Sequence, residues 1–415
     1  MQPTIISRDH HTVSRKLMSE EVLKVLYRLH RTGHIAYLCG GGVRDLLLGR
    51  DTVDFDVVTD ARPYGLKDVF NNCRLVGRRF RIAHIVFKGG KFIEVSTFRK
   101  MGEEEAKGDA GDNLLIKRDN TFGSPAEDAF RRDFTINALY YSIADFTIID
   151  YVGGRKDLEN RLIRCIGDPD IRFQEDPIRI LRGIRLASFL DFEIEAKTWE
   201  AMKRQRHHIM NCPTPRIREE IMKILRRGNI HRSYKLLAEA GILVFLFPKL
   251  DEFLRSGEER EPLFERSFWR HLAVLDGFHD NNADLSDPLL LATLTATPVL
   301  ASLEKLPAGH DVGKWMYEYL EEYFKPLDIP RVVRSHIHLL HLSLRHMLAP
   351  KKVKRRRSLR RSPLFPDALT FLEIHCRATQ QHWPVLQRWQ CPPQPQHPKR
   401  KVRPKPTVSR EKRTS

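Results

Sequence analysis

Chemistry-bearing residues are densest in CGGGVRDLLLGRDTVDFDVVT, residues 39–59. Asp54 and Asp56 stand one residue apart in a segment whose core, Phe55 to Val58, reads as a strand. Both carboxylates therefore project from one face. Two carboxylates on one rigid face suit hard divalent cations, usually Mg2+ with phosphate oxygens completing the octahedron. Just upstream, Gly40 and Gly41 permit close backbone approach, and a helix starting at Val43 offers free N–H groups to an anion. Arg44 adds a forked donor for the same phosphates, with Asp45 beside it in the same nucleotide-facing stretch. A DxD pair alone reads equally well as a solvated strand end. A glycine turn, a helix start and a DxD inside seventeen residues form a far more specific arrangement.

Three further clusters could serve the same chemistry. Glu94, between Ile93 and Val95 in KFIEVSTFRK, is a candidate third carboxylate, either a metal ligand or the base for a hydroxyl proton. An ordinary exposed strand residue fits its spacing equally well. Arg131, Arg132 and Asp133 precede FTINALYYS, and an arginine pair beside an aspartate can hold a ribose hydroxyl and a phosphate together. The same residues could instead pin a helix start, with Asp133 as its cap. In FQEDPIRILR, residues 173–182, Pro177 suits a first helical turn with Asp176 as N-cap. Asp176 and Arg179, three apart, also share one side of that turn and offer an acceptor and a donor at fixed separation. Adenine and cytosine both present an amino donor next to a ring acceptor, whereas uracil and guanine present the reverse. Such a pair selects ATP or CTP against UTP or GTP without separating the first two. His336, His338, His341 and His346 do not place three rings and a carboxylate on one helical face, so they read as ordinary helix residues.

The elements that must position these groups follow from periodicity. Residues 18–32 have helical spacing ended by Gly33, and strands are expected at Ile35–Cys39, Phe55–Val58, Arg81–Phe87, Phe92–Phe98 and Phe146–Asp150. Lys88-Gly-Gly-Lys91 joins two of them as a hairpin, and Phe146–Asp150 should close the α/β region. Residues 101–113, polar and glycine-rich, read as a loop. Helices are expected at 157–165, 176–190, 196–209, 216–227 and 231–240. A helical stretch over 261–350 should break at Pro298 and Pro307. PPQPQHPKRKVRPKP has the composition of a disordered basic tail.

Composition narrows the classes further. A chain of 415 residues, 41% hydrophobic and 30% charged, suits two or more folded domains and excludes wholesale disorder. No apolar run approaches the roughly 18–20 residues that span a bilayer, so no membrane association is expected. MQPTIISRDHHTVSRK lacks an apolar signal core. The six cysteines include no CxxC pair and read as reduced thiols of a cytoplasmic chain. The net charge is +18, of which residues 351–361 carry +8 and residues 399–415 carry +7, leaving +3 for the rest. A nearly neutral globule with two basic appendages suits a polyanion, although a solubilising or targeting tail has the same charge.

Taken in order, GGGVRDLLLG, DFD, EVSTFR, RRDFTINALYY and EDPIRILR resemble the class II nucleotidyltransferases of the DNA polymerase β superfamily, which include bacterial poly(A) polymerases and CCA-adding enzymes. LVGRRFRIAH at 75–84, the N-terminal SRDHHTVSRK and the arginine-rich C-terminal region with FPDALTFLEIHC are similar to the poly(A) polymerase branch. The resemblance implies an α+β head, a polymerase β-like nucleotidyltransferase sheet with flanking helices, followed by an all-α body and the disordered tail. It divides the chain into an N-terminal arm and helix (1–35), a catalytic head (36–155), a helical nucleotide-selecting and RNA-binding neck (156–260), a helical body (261–350) and an arginine-rich C-terminal region (351–415). It further implies that Asp54 and Asp56 bind the catalytic metals, with Glu94 or Asp133 as third acid. Arg131, Arg132 and Asp133 would engage ribose and phosphates, Asp176 and Arg179 would read the base, and Arg182 would lie close by. The implied activity is template-independent addition of AMP from ATP, with Mg2+, to single-stranded RNA 3′ ends in RNA processing and decay. Tail length, RNA preference and protein partners are not implied. The nearest rival is a tRNA CCA-adding or A-adding enzyme; a non-catalytic RNA-binding protein with the same fold would not need Asp54, Asp56 and Arg44.

The charge distribution predicts that deleting residues 399–415 reduces the slope of log RNA affinity against log salt and weakens all RNA sequences alike, because phosphate contacts carry no base information. Filter binding across a salt series measures this, and an unchanged slope would make the tail a solubility element.

Overall fold

The computed structural model describes residues 2–52, 54–77, 81–100, 122–260, 262–281, 283–349 and 358–391. The acidic stretch 101–113, the residues Arg78, Arg79 and Phe80, the basic residues 351–357 and the tail 399–415 lie outside them.

The first half of the chain builds a sheet from β1 (Thr4–Ile6), β2 (Ala36–Cys39), β3 (Asp56–Thr59), β4 (Cys73–Val76), β5 (Ile82–Val86), β6 (Phe92–Thr97), β7 (Leu139–Ser142) and β8 (Ile148–Asp150). Their order is β1-β8-β7-β2-β3-β6-β5-β4, and every neighbouring pair is antiparallel except β3 and β6. That parallel pairing puts Glu94 directly beside Asp56, and β2 puts Cys39 on the other side.

One sheet face is covered by α1 (Glu20–Arg31). Ser19 caps this helix by accepting from the Val22 N–H, Glu20 and Glu21 occupy the first turn, and Arg28, His30 and Arg31 the last. Both ends thus complement the helix dipole. Val22, Val25, Leu26 and Leu29 form its buried stripe. Among the described residues, the opposite face is covered at its β2–β7 side, where Cys39, Val58 and Tyr140 pack with Ala129 and Ile166.

Short helices α2 (Gly41–Leu47), α3 (Gly65–Val69), α4 (Pro125–Phe130) and α5 (Gly154–Glu159) flank the sheet. Next come α6 (Pro169–Glu175), α7 (Ile178–Leu190), α8 (Ala196–Gln205), α9 (Thr214–Arg227), α10 (Ile230–Glu239) and α11 (Leu243–Leu246). Then follow α12 (Pro248–Arg260), α13 (Pro262–Asp280), α14 (Asp287–Glu304), α15 (Val312–Tyr323), α16 (Arg331–Leu348), α17 (Phe365–Thr379) and α18 (Trp383–Gln390). The fold is therefore a mixed sheet with flanking helices followed by an all-helical region, and among the described residues no helix is long and apolar enough to cross a membrane.

Several expectations change. β3 begins at Asp56, so Asp54 lies in the irregular approach to the strand rather than within it. Phe146–Asp150 is, as expected, the last strand of the sheet in chain order, although the three residues of β1 add outside it at the sheet edge. β7 escapes sequence reading because all four of its residues are buried, which erases the alternation. The expected helix at 157–165 is the end of α5 followed by a two-residue strand, Leu162–Ile163, paired with Glu193–Ile194. Pro298 does not break the chain: it sits inside α14. That helix is buried on nearly every side against α13, α16 and α17, and this burial outweighs the roughly 3 kcal/mol cost of an internal proline. The break comes after Glu304, near Pro307. FPDALTFLEIHC forms most of α17, which packs on α13, α14 and α16.

Within this helical region lies a line of buried histidines. His271 Nδ1 donates to the Ser267 carbonyl, leaving Nε2 to accept from His375 Nδ1 at 3.2 Å. His341 Nε2 meets Thr295 Oγ1 at 2.8 Å. Burial pushes His271 down to about 4, and burial helped by neighbouring rings pushes His341 and His375 to about 3. A histidine held below its ordinary 6.5 keeps its full stabilising contribution above that value and loses it as the pH falls towards the folded pKa. Urea unfolding midpoints should therefore stay level from pH 8 to about 6.5 and fall between about 6.5 and 4. A level midpoint down to about pH 4.5 would contradict the burial of neutral rings.

Candidate active site

At the end of β2 the chain turns through Gly40 with φ +72° and ψ −138°, a conformation that only glycine adopts without strain. A Cβ there would also stand 3.4 Å from Arg132 Nη1 and 3.9 Å from Asp56 Oδ2. This residue is the N-cap of α2, which starts at Gly41, two residues earlier than the sequence suggested. The free N–H groups of α2 therefore open beside the Asp56 carboxylate. Arg44 is buried, and its fork closes on its own neighbour: Nε and Nη2 donate to Asp45 at 2.9 and 3.0 Å, and Nη1 donates to Asn137 at 2.7 Å. The expected fork onto phosphate is thus already spent on Asp45.

Asp56 and Glu94 lie side by side on adjacent strands, and His84 of β5 is the next residue in the same row, with its Nε2 3.5 Å from Glu94. Loss of water raises the Asp56 pKa, and repulsion from Glu94 adds to it against the pull of Arg132. Two carboxylates therefore stand side by side on adjacent strands, one of them partly withdrawn from water. Asp54 is well exposed, and its carboxylate meets Arg227 of α9 at 3.6 Å.

Asp133 is in a different situation. Its Oδ1 accepts from the Phe134 N–H and from Asn137, and its Oδ2 accepts from Arg182 Nε at 2.7 Å. Burial opposes its ionisation, but Arg182 above all holds it well below the usual carboxylate range. Arg131 and Arg132 are both anchored by Asp128, a fully buried residue that sequence reading missed, at 2.8 and 2.9 Å. Tyr140 also donates to Asp128, at 2.9 Å. Burial alone would raise the Asp128 carboxyl; Arg132 and Arg131 overcome this and lower it. The signal was present as spacing, because Asp128 on α4 stands three and four residues before Arg131, which caps that helix, and Arg132, which follows. A Ser124–Glu127 capping box with Pro125 fixes where that helix begins.

Arginines from the following helices grip this corner. Arg172 donates to the carbonyls of Arg131 and Arg132 at 2.6 and 3.1 Å, and Arg179 donates to the Arg131 carbonyl at 3.3 Å. Asp176 is not the N-cap of α7: it ends α6, and its side chain accepts from Arg216 at 3.0 Å. The acceptor and donor expected to read a base are therefore both braced from behind. Gly183 lets α7 press against the head, since a Cβ there would fall 2.8 Å from the Phe134 ring.

A cleft of ≈720 Å³ runs between the sheet and these helices. Gly40, Gly41, Arg44, Asp45, Asp54, Asp56, Arg131, Arg132, Asp133, Asp176, Arg179 and Arg182 all line it, and Glu94 does not. One wall also carries Arg185, Arg216, Lys223 and Arg227, none of which the sequence motifs singled out. Phe189 joins them, with Arg50 and Arg227 over its ring at 5.0 and 5.4 Å.

Residues 36–164 match the family model described as "Poly A polymerase head domain", and residues 191–254 match "Probable RNA and SrmB- binding site of polymerase A". The chain is 40% identical to poly(A) polymerase I of Salmonella typhimurium over 90% of its own length and 82% of that protein. The chain belongs to the poly(A) polymerase family. Poly(A) polymerase I of Escherichia coli O6:H1 is 43% identical over 80% of this chain and 72% of that protein. The related CCA-adding fold is seen in the Bacillus stearothermophilus CCA-adding enzyme in complex with CTP, with a TM-score of 0.63, 25% identity, and coverage of 89% of this chain and 80% of that one. Poly(A) polymerase relatives thus match at higher identity than this CCA-adding structure.

Because both Asp133 oxygens are engaged inside the protein, Asp133→Asn should cost about 3–5 kcal/mol of stability by leaving Arg182 without its closest partner. Urea unfolding at neutral pH measures it. Wild-type stability combined with lost discrimination against dATP would instead give Asp133 a direct ribose contact.

Proposed function

We propose that the cleft binds ATP with its phosphates at the Gly40–Gly41 turn, beside Arg131 and Arg132, and its base against Asp176 and Arg179. The enzyme catalyses template-independent polyadenylation. An RNA 3′-oxygen bonds to the α-phosphorus of ATP, the bond from that phosphorus to the β-phosphate oxygen breaks, and pyrophosphate leaves. In this reading the sheet-built head at 36–155 performs the chemistry. The neck at 156–260 reads the base, and the body at 261–350 with the arginine-rich region at 351–415 holds single-stranded RNA.

The observation that carries the assignment is the carboxylate row itself. Asp56 stands beside Glu94, near the exposed Asp54, with its pKa raised and a glycine turn at its side. Neighbouring carboxylate oxygens, one set exposed and one beside the glycine turn, fit Mg2+ on Asp54 and Asp56. Among the described residues no three acidic, histidine or cysteine groups converge on one point, so nucleotide phosphates would complete the shell, as is usual for this ion. When bound, the cation supplies the acidity that lowers the hydroxyl pKa and offsets charge on the entering and leaving oxygens. Glu94, outside the cleft but next to Asp56, accepts the 3′-hydroxyl proton. Asp133 serves the site by holding Arg182. Asn137 and Asp45 keep Arg44 rigid beneath the turn, and Arg132 faces the developing charge beside Gly40. Arg216 and the Arg131 carbonyl fix the orientations of Asp176 and Arg179, so that they meet adenine without reorganising.

Asp54→Ala and Asp56→Ala should each abolish AMP incorporation, by at least about a thousand-fold, while leaving unfolding midpoints near wild type. Glu94→Gln should lower kcat with little change in KM for ATP. Normal turnover in either aspartate variant would reject the metal assignment. Supplying each labelled nucleotide in turn with an unstructured RNA tests the substrate: successive AMP additions are expected, whereas CMP and a single AMP added only to a truncated tRNA would favour the CCA-adding alternative.

A further inference from the structure

The sheet register extends the catalytic row beyond the cleft. Tyr140 pairs with Cys39, Cys39 with Asp56, Asp56 with Glu94, Glu94 with His84, and His84 with Arg74. Residues paired across a sheet point to the same face, as do residues two apart on one strand. Phe92, two residues before Glu94, therefore shares this face, and so does Val76.

On the Tyr140 side this face is covered by α4. Past Asp56 the described residues leave it open. Ile93, Val95, Ala83 and Ile85, which point the other way, are buried. Phe92 is 48% exposed, Val76 46%, and Arg74 is exposed. The Phe92 and His84 rings are stacked, with centroids 4.4 Å apart and planes inclined by 13°. The same His84 reaches to within 3.5 Å of Glu94. A lone exposed phenylalanine would mean little. A parallel aromatic pair touching a carboxylate of the reaction centre is a different matter.

The cleft assigned to ATP is lined as far as Asp56 but not by Glu94. The reacting phosphorus must lie by Asp56, so an acceptor hydroxyl in line with it comes from the side away from the nucleotide. That side is the open face. We propose that the 3′-terminal nucleotide of the RNA acceptor lies on this face, with its base stacked on the Phe92–His84 pair and its backbone phosphate at Arg74. The assignment rests on Asp56 and Glu94 being the reaction centre. Stacking tolerates any base, since every base has a π-face, and a guanidinium holds phosphate without reading sequence. Those are the properties an enzyme needs if its acceptor end changes with each RNA.

The test uses the full-length enzyme and an RNA carrying 2-aminopurine at its 3′ end. Binding without ATP should quench the probe. Phe92→Ala should remove most of that quench and raise KM for RNA roughly ten-fold with KM for ATP unchanged, and Phe92→Trp should restore both. Arg74→Ala should raise KM for RNA and reduce its salt dependence. Undiminished quench and unchanged KM for RNA in Phe92→Ala would overturn the proposal. So would a His84→Ala variant that changes kcat and its pH profile but leaves quench and KM for RNA intact, because His84 would then act on the proton rather than on the base. Asp56→Asn separates this proposal from the reading beneath it. Lost incorporation with normal quench supports both. Retained turnover refutes the carboxylate assignment and removes the argument that the acceptor must approach past Glu94.

Discussion

The grip of α6 and α7 on the segment 131–133 is the constraint on which the rest depends. Arg172 and Arg179 hold the main-chain carbonyls of that segment, and Arg182 closes on Asp133 at 2.6 Å. Arg182 also lies 4.0 Å from Glu220 of α9, which pairs with Arg185 at 2.8 Å, so one chain of charges runs from the sheet through two helices. Buried ion pairs add little net stability, because desolvation consumes most of their attraction, but they penalise any other alignment heavily. Asp56 and Glu94 come from the sheet, and Asp176 and Arg179 from the helices. A displacement of 1 Å between reacting groups can cost a hundred-fold in rate. A seam made of directional, charge-assisted bonds suits that task better than apolar packing alone, which tolerates sliding.

A second requirement is met inside the sheet. Among the described strands of the eight-stranded sheet, β3 and β6 alone run parallel, and that pairing sets Glu94 level with Asp56. Slipping it by one residue would turn Glu94 to the buried face and bring Ile93 or Val95 into the row. The buried positions of β6, alternating with Glu94, are what hold the register.

Much of this was legible from residues alone, and the failures have physical reasons. The glycine turn, Asp54, Asp56, the Arg-Arg-Asp segment and Asp176 with Arg179 stood out because phosphate and metal chemistry demands particular types at short spacing, and the cleft gathers them. Asp128 did not stand out, because a carboxylate on a short helix looks solvated until the fold buries it against two arginines. The pairing of the Arg44 fork with Asp45 was not legible, because only side-chain geometry shows that the adjacent carboxylate engages it. The basic wall of α7 and α9 was not singled out, because its counter-wall lies more than a hundred residues earlier in the chain. Pro298 misled because propensity was weighed without the burial that overrides it.

Cys39, set between Tyr140 and Asp56, has a bearing on oxidative damage. Burial, only partly opposed by Arg132, raises its pKa to about 11. At neutral pH almost none of it is thiolate, the form that peroxides and alkylating agents attack. The sulfur nearest the catalytic row is thus the least reactive kind, while the exposed Cys391 lies at the far end of the described chain. The packing that sets Cys39 between Tyr140 and Asp56 thus also keeps its sulfur in the form that oxidants attack least readily.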